Sequence, residues 1–268
     1  MIISKYIKHL SNLIFNTEYR RKYCCLEKIR KCPRYTLIKT DLFLHDIELI
    51  DSVSFLSMYS AIFEKEIYKF KSENQQVLII DCGANIGLST IYFKMKYPDS
   101  YIYAFEPDIK IFSVLKKNIE KFNFNNVQLI NKALWSSESS MFFMEEGADA
   151  GRIVELEPNK TRQKVETVRL RNYLEKPINL LKIDIEGAET EVLIDCKDLL
   201  YNVNNIFVEY HSFINVPQTL HSILQILQNA KFRVHIQPGF CSSNPFISQE
   251  NYLGMDLQLN IFGTKESI

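Results

Sequence analysis

Glycines and carboxylates stand at the ends of successive apolar runs, where they could bind a nucleotide-type cofactor. The run Val77–Asp81 opens into Cys-Gly-Ala-Asn-Ile-Gly, and the run Tyr101–Phe105 ends at Glu106. Glycine lets backbone approach a ligand closely, and a carboxylate on the next strand can accept hydrogen bonds from two ribose hydroxyls. Each motif also has a structural interpretation: a tight strand–helix turn for the glycines, and an acid favoured by the helix dipole for Glu106.

The glycine turn differs from the dinucleotide fingerprint. Gly83 and Gly87 are four residues apart with Asn85 between them, whereas that fingerprint is Gly-x-Gly-x-x-Gly. Asparagine tolerates unusual backbone dihedrals and forms local hydrogen bonds, so this turn suits a cofactor without a pyrophosphate. After the third apolar run, Ala133 could line an adenine slot or simply belong to the loop that leaves the strand.

Three charged residues alternate at the end of a later run, Leu180–Ile185. Lys182, Asp184 and Glu186 fall on one side of an extended segment, and charges in a core strand are costly unless they are paired or functional. We expect Asp184 to project into the crevice beyond the carboxyl edge of the sheet. We expect Lys182 to form a buried ion pair and Glu189 to be a helix cap or dipole acid.

Glu209 and His211 share one side of a further run. A histidine paired with carboxylates at a strand end can accept or relay a proton near neutral pH; the alternative is a hydrogen-bonded loop histidine. The same imidazole could hold a divalent metal together with Glu209, Asp184 and Glu186. The sequence shows no compact ligand spacing, so we predict no metal site.

Hydrophobic periodicity indicates the elements that position these residues. Apolar runs alternate with helical segments from residue 77 onward, which predicts βαβ units and a mostly parallel sheet. Before them we predict helices over 1–30 and 51–70 and a strand pair within 34–44, and residues 140–145 and 164–169 should pair as strands around a polar loop, 146–158. The predicted strands are 77–81, 101–105, 127–130, 180–185, 205–209, 232–236 and 257–262, and the predicted helices between them are 87–96, 108–122, 188–200 and 217–230.

Composition limits the class of protein. The chain has 268 residues, of which 46% are hydrophobic, so it can bury a substantial core. No apolar run reaches the roughly 18 residues that span a bilayer, and we identify no signal peptide. Six cysteines in a chain of this length predict free thiols and a cytoplasmic setting.

Charge is distributed unevenly along the chain. Residues 1–34 contain nine lysines and arginines and two glutamates, a net charge of +7, and the rest carries −7. Such a basic segment can contact an anionic membrane, nucleic acid or a partner, or it can be a solvated helical face. We predict peripheral contact with the inner face of a membrane through residues 1–34.

These motifs, in this order, resemble those of the FkbM-type methyltransferases. The resemblance rests on Val-Leu-Ile-Ile-Asp-Cys-Gly-Ala-Asn-Ile-Gly-Leu at 77–88, Phe-Glu-Pro at 105–107, Leu-Leu-Lys-Ile-Asp-Ile-Glu-Gly-Ala-Glu at 180–189 and Glu-Tyr-His at 209–211. It implies a class I methyltransferase fold, an α/β architecture whose seven-stranded, mostly parallel sheet has helices on both faces and an antiparallel last strand. We divide the chain into an N-terminal helical and short-strand extension, 1–75, and this domain, 76–268.

The resemblance also implies roles for individual residues. S-adenosylmethionine would be the cofactor, and the reaction would be O-methylation of a hydroxyl on a sugar, glycan or related natural product. Glu106 would hold the ribose, and Asp184 would lie near the sulfonium and the acceptor. We expect His211 or Asp184 to be the base, His211 first, with Glu209 orienting it. The methionine end of the pocket would be shaped by Asp81, Gly83, Asn85 and Gly87.

Other classes of protein use comparable sheets. A nicotinamide-dependent oxidoreductase would need the third glycine of its fingerprint, which is missing. A nucleic-acid methyltransferase could use the basic segment, but that segment has no RNA-binding motif and the rest of the chain is acidic, so we expect no nucleic acid partner. A non-catalytic binding protein would not need both carboxylate-bearing strand ends.

Overall fold

The computed structural model describes residues 11–72, 76–145, 151–154 and 162–265, and it is built around one large sheet. The strands are β1 Ile38–Thr40, β2 Ile47–Leu49, β3 Leu78–Cys82, β4 Tyr101–Phe105, β5 Val127–Ile130, β6 Ala133–Leu134, β7 Ser140–Glu145, β8 Gly151–Val154, β9 Arg162–Val168, β10 Ile178–Ile183, β11 Val203–Phe213, β12 Arg233–Cys241 and β13 Met255–Thr264. The α-helices are α1 Thr17–Arg30, α2 Ser52–Tyr59, α3 Leu88–Lys96, α4 Ile109–Glu120, α5 Glu189–Cys196 and α6 Leu220–Asn229.

The large sheet has seven strands in the order β12-β13-β11-β10-β3-β4-β5. Strand β13 runs antiparallel to both of its neighbours, and the pairs from β11 to β5 are parallel. The predicted α/β class, the seven strands and the antiparallel last strand are therefore confirmed. Because parallel strands end at the same edge, the carboxyl ends of β3, β4, β10 and β11 meet there.

Helices cover both faces of this sheet. Successive residues of β3 point to opposite sides, so Ile79 belongs to one buried apolar cluster and Ile80 to the other. Helices α3 and α4 contribute to the first cluster, and α5 and α6 contribute to the second. The charged ends of the strands are thus held between two packed layers.

The N-terminal extension shares the core of the sheet. Ile29, Leu49 and Phe55 are buried in the same cluster as Ile79. The prediction of a strand pair within 34–44 is wrong in its second member, since β1 pairs with β2 at 47–49. The turn between them includes Leu44 at a positive φ of 64°. The many β-forming residues in 34–44 did not indicate a turn at this position.

The helix predicted over 51–70 ends early. Asp51 caps α2 by accepting the N–H of Ser54, and a π-helical turn follows at Ser60–Glu64. Glu66 then adopts a positive φ of 49° and ends the helix. Tyr68 turns inward and packs edge-on against Phe207. The aromatic spacing predicted one helix face here, but these side chains fill the core from two different segments.

A second, four-stranded sheet has the order β6-β9-β7-β8. Strands β7 and β9 pair with each other, as predicted, and they run antiparallel. The polar loop predicted over 146–158 is wrong at Gly151–Val154, which forms β8 against β7; residues 146–150 and 155–158 lie outside the described residues. Within the part of the chain that the structure describes, no helix has the length and apolarity to cross a bilayer.

Candidate functional site

A cavity of about 420 Å³ lies at the carboxyl edge of the large sheet. This volume is within the usual range of small-molecule sites, about 300–1,000 Å³. Seven of the nine predicted site residues line it: Gly83, Asn85, Glu106, Ala133, Asp184, Glu209 and His211. Residues from the ends of four neighbouring strands and the start of β6 therefore meet in one place.

The turn after β3 is fixed by close contact with the neighbouring loop. Gly83 has a φ of +82°, and a Cβ on it would stand 1.8 Å from the carbonyl oxygen of Asp184. Gly87 has a φ of +96°, and its Cβ would meet Leu115 at 2.8 Å. Asn85 also has a positive φ, 48°. These glycines are required by packing within the protein, so the cavity wall is shaped before any ligand binds.

Glu106 connects this turn to the end of β4. Its carboxylate oxygens accept the N–H groups of Asn85 and Asp108, each at 3.0 Å. Burial raises the pKa of Glu106 to about 8, and the negative charge of Asp108 adds to the increase. The Nδ2 atom of Asn131 donates to the carbonyl oxygen of Glu106 at 2.8 Å. Sequence reasoning missed Asn131, whose amide holds the strand end that carries the carboxylate.

Lys182 forms the buried ion pair that the sequence predicts. Its Nζ is 3.2 Å from Asp81 Oδ1 and 3.4 Å from Asp184 Oδ2, and it donates to the carbonyl oxygen of Gly83 at 2.8 Å. Although burial alone would lower the pKa of Lys182, the carboxylates of Asp81 and Asp184 raise it well above its usual range. The ammonium therefore stays charged and ties β3 to β10.

Asp81 and Gly87 are absent from the described residues that line the cavity. Asp81 is fully buried, and its Oδ2 accepts the hydroxyls of Ser89 and Thr90 at 2.6 and 2.9 Å. It therefore fastens the start of α3 to β3. The structure gives both residues an indirect part in the site, through the shape of the turn, whereas the resemblance counted them among the cofactor-binding residues.

His211 is oriented by Glu189, not directly by Glu209 as the sequence suggested. Its Nδ1 is 2.9 Å from Glu189 Oε1, while Nε2 is 3.6 Å from Glu186 Oε2. Gln258 contacts Nε2 of His211 at 3.3 Å and donates to Glu209, so Glu209 acts through this amide. Periodicity relates residues within a strand, and the Glu189 contact joins β11 to α5, 22 residues away.

Glu189 also holds the loop between β10 and α5. Its carboxylate accepts the N–H of Gly187 at 3.0 Å and that of Ile185 at 3.2 Å. These groups precede α5, whose N-cap Ala188 has no side-chain cap, so Glu189 holds the loop and does not cap the helix. Burial alone would lower the pKa of His211, but Glu186 and Glu189 raise it well above the usual range. Burial raises the pKa of Glu186 to about 8, and Asp184 adds to that increase while His211 opposes it.

The N-terminal extension supplies part of the cavity wall, which the sequence did not reveal. Ser54, Met58, Ile62 and Tyr68 line the same cavity as Glu106 and His211. The π-helical turn at Ser60–Glu64 lies within this stretch, and such turns frequently occur at functional sites. The boundary predicted at residue 75 stays a prediction, but the site draws residues from both sides of it.

The strand order and the cavity at the carboxyl edge define a class I methyltransferase fold. Among solved structures, the FkbM methyltransferase from Methylobacillus flagellatus KT matches with a TM-score of 0.51 and 13% identity, over 76% of this chain and 47% of that one. This chain therefore spans about half the length of that protein, and at this identity the likeness shows the fold alone.

Residues 81–234 match the family model described as the methyltransferase FkbM domain. The chain is 30% identical over 178 residues to Methyltransferase 1 of Beauveria bassiana, a match that covers 57% of this chain and 72% of that protein. It is 28% identical over 159 residues to the hexuronic acid methyltransferase AglP of Haloferax volcanii, over 58% of this chain and 63% of that protein. The chain belongs to the FkbM methyltransferase family, and the nicotinamide-dependent oxidoreductase alternative is therefore wrong.

Proposed function

We propose that this protein transfers a methyl group from S-adenosylmethionine to a hydroxyl oxygen of a sugar, glycan or related natural product. The observation that carries this proposal is the hydrogen bond from Asn85 to Glu106, which joins the glycine turn and the acid of the next strand in one cavity wall. This cofactor has a ribose but no pyrophosphate. It therefore suits a carboxylate that can bind ribose hydroxyls, next to a glycine turn that lacks the dinucleotide fingerprint.

The residues present fit the cofactor. The cavity has the volume for a ligand of this size, Glu106 offers carboxylate oxygens to ribose hydroxyls, and Ala133 leaves space beside them for a flat base. Gly83 and Asn85 would border the methionine end. The bound cofactor supplies an electrophilic methyl group on its sulfonium.

The remaining task of the protein is alignment and proton removal. In the transfer, the acceptor oxygen would bond to the methyl carbon of the bound cofactor, and the sulfur would keep the electron pair of the broken carbon–sulfur bond. The hydroxyl proton would pass to the cluster of Asp184, Glu186 and His211, in which His211, in its neutral form, is the first candidate. Glu189 holds Nδ1 of that imidazole, so that Nε2 lies toward Glu186.

A polyhydroxyl acceptor fits the polar wall of the cavity. Asp184, Glu186, Glu209 and Gln258 line it together, and their oxygen atoms can accept hydrogen bonds from sugar hydroxyls. The similarity to a hexuronic acid methyltransferase supports this class of acceptor.

Methyl transfer can be tested with S-adenosylmethionine labelled at its methyl group, incubated with the protein and a glycan extract. We expect label on an ether oxygen of a carbohydrate, and no label with the His211→Ala variant. Label on nucleic acid in a parallel incubation with RNA, and none on carbohydrate, would contradict the proposed acceptor.

We also propose that the protein is cytoplasmic and contacts anionic membrane through its basic segment, residues 1–34. Lys28 and Lys31 of this segment are exposed. Flotation with anionic liposomes should weaken in a Lys28→Gln/Lys31→Gln variant. It should stay unchanged in the matched Lys116→Gln/Lys121→Gln variant, which changes α4 and the residue after it. Equal flotation of both variants would contradict the membrane contact.

A further inference from the structure

We propose that Asp184, Glu186 and His211 form a binding site for a divalent metal ion. One ligand atom from each residue lies within 4.8 Å of the others. Two carboxylate oxygens and an imidazole nitrogen suit Mn²⁺ and related divalent ions. The sequence predicted no metal, since its spacing shows no ligand motif, and the fold brings the three residues together from two strand ends.

The hydrogen bonding of His211 matches that of a metal ligand. Its Nδ1 lies 2.9 Å from Glu189 Oε1, and both side chains are 1% exposed. In the neutral imidazole, a proton on Nδ1 leaves the lone pair of Nε2 free to bind a metal, and Glu186 Oε2 is 3.6 Å from that nitrogen. A histidine that binds a metal through one nitrogen commonly donates the other N–H to a carboxylate, which fixes the ring and its tautomer.

The carboxylate loop is also held in place without the metal. Glu189 accepts the backbone N–H groups of Ile185 and Gly187, on either side of Glu186, and Glu186 itself has a positive φ of 53°. This backbone directs Asp184 and Glu186 into one cavity although β10 ends at Ile183. A single buried carboxylate therefore holds the backbone around Glu186 and the ring of His211, and Lys182 pairs with Asp184.

Charge at the site favours a bound cation. Glu209 lines the cavity beside Asp184 and Glu186, and the buried ammonium of Lys182 is shared between Asp184 and Asp81. Crowded carboxylates disfavour one another's charged forms, and a divalent ion would relieve that repulsion.

The metal would lie on the acceptor side of the cavity and would bind an acceptor oxygen. This role rests on the proposed function, whereas metal binding itself does not. A metal on Nε2 of His211 would occupy the lone pair that otherwise takes the acceptor proton. The imidazole therefore acts either as a metal ligand or as the base, and turnover that requires Mn²⁺ would favour the metal ligand. The amide of Gln258, now 3.3 Å from Nε2, would move aside.

Mn²⁺ binding to the full-length protein, stripped of metal with a chelator, tests this inference directly. Electron paramagnetic resonance should show one Mn²⁺ bound per chain, and Glu186→Gln and Asp184→Asn should each abolish that signal. Glu189→Gln should weaken binding about 10–100-fold through its effect on the ring. Glu191→Gln, on the same helix but outside the residues that line the cavity, is the matched control and should bind normally.

The absence of a bound Mn²⁺ signal, or binding that survives both ligand variants with unchanged affinity, would overturn the metal site. Thermal unfolding of each variant shows whether it is folded. Calorimetry with S-adenosylmethionine on the same metal-free protein separates the two proposals: cofactor binding without Mn²⁺ binding refutes only the metal, and Mn²⁺ binding without cofactor binding refutes only the proposed function.

Discussion

Replacement of Gly83 by alanine tests how the cofactor turn is held. The residue has a φ of +82°, and the new Cβ would stand 1.8 Å from the carbonyl oxygen of Asp184. Neither atom belongs to a flexible side chain, so the loop after β3 or the loop after β10 must move. Both loops line the cavity, and we expect the variant to lose stability and cofactor affinity together.

The size of the effect follows from two contributions. A left-handed backbone costs an alanine about 1–2 kcal/mol, and forcing an extra methyl group into packed structure costs about 1–3 kcal/mol more. Gly254 has the same φ of +82°, but its Cβ would lie 4.0 Å from the nearest atom, in Phe213. Gly254→Ala should therefore lose only the first contribution, about 1–2 kcal/mol, which makes it a matched control.

Thermal unfolding and calorimetry measure both consequences. At about 2–4 °C per kcal/mol for a protein of this size, Gly83→Ala should lower the Tm by roughly 4–20 °C and Gly254→Ala by roughly 2–8 °C. Affinity for S-adenosylmethionine should fall in Gly83→Ala alone. Equal Tm values and equal affinities in the two variants would refute the argument that the Asp184 carbonyl, rather than backbone conformation, requires glycine at position 83.

Three further variants test other parts of the site and fold. Glu106→Ala should weaken S-adenosylmethionine binding about tenfold or more, because hydrogen bonds from two ribose hydroxyls contribute about 0.5–1.5 kcal/mol each. Exposed Glu120→Ala is the calorimetric control, and unchanged affinity in Glu106→Ala would exclude the ribose role. His211→Ala should reduce turnover by at least about 100-fold and retain cofactor affinity. The control variant His235→Ala on β12 should be active. Near-normal turnover of His211→Ala would remove His211 from the mechanism. Asp51→Ala should lower the free energy of unfolding by about 1–3 kcal/mol at pH 7, since it removes the cap of α2.

The Asp51 variant also carries a pH signature, measured by denaturation across pH 3–7. Burial alone would raise the pKa of Asp51, but hydrogen bonds from Arg34 and Ser54 hold this pKa well below its usual range. A lowered folded-state pKa contributes stability above the unfolded value, about 3.9, and this stability is lost as pH falls below it. The wild-type protein should therefore lose more stability than Asp51→Ala between about pH 5 and 3. Parallel pH curves would contradict this account of Asp51.

The strands that carry the site could be predicted because their hydrophobic runs are unambiguous. β3 and β10 are mostly apolar, as buried parallel strands require, although Asp81 lies in β3 and Asn179 and Lys182 lie in β10. Each strand ends at a turn that contains glycine and charged or polar residues. That pattern led to Asp184, Glu106 and His211, and the structure places all three in one cavity. Lys182 could be assigned to an ion pair because an unpaired charge in a central strand is too costly to persist.

Contacts between distant segments could not be predicted in the same way. The carboxylate that contacts His211 belongs to Glu189 in α5. The position of Glu189 in the sequence does not show whether it caps a helix or contacts an imidazole. Tyr68 lines the cavity only because Glu66 ends the preceding helix at a positive φ. For glutamate such a conformation is stabilised by tertiary packing rather than by local preference, so the chain alone does not reveal it.

A crystal structure of the protein with S-adenosylmethionine tests the central claim most directly. The cofactor should occupy the cavity at the carboxyl edge of β3 and β4, with its ribose hydroxyls within hydrogen-bonding distance of Glu106 and its methyl group facing Asp184 and His211. A cofactor bound elsewhere on the molecule, or a saturating soak that leaves this cavity without it, would contradict the account.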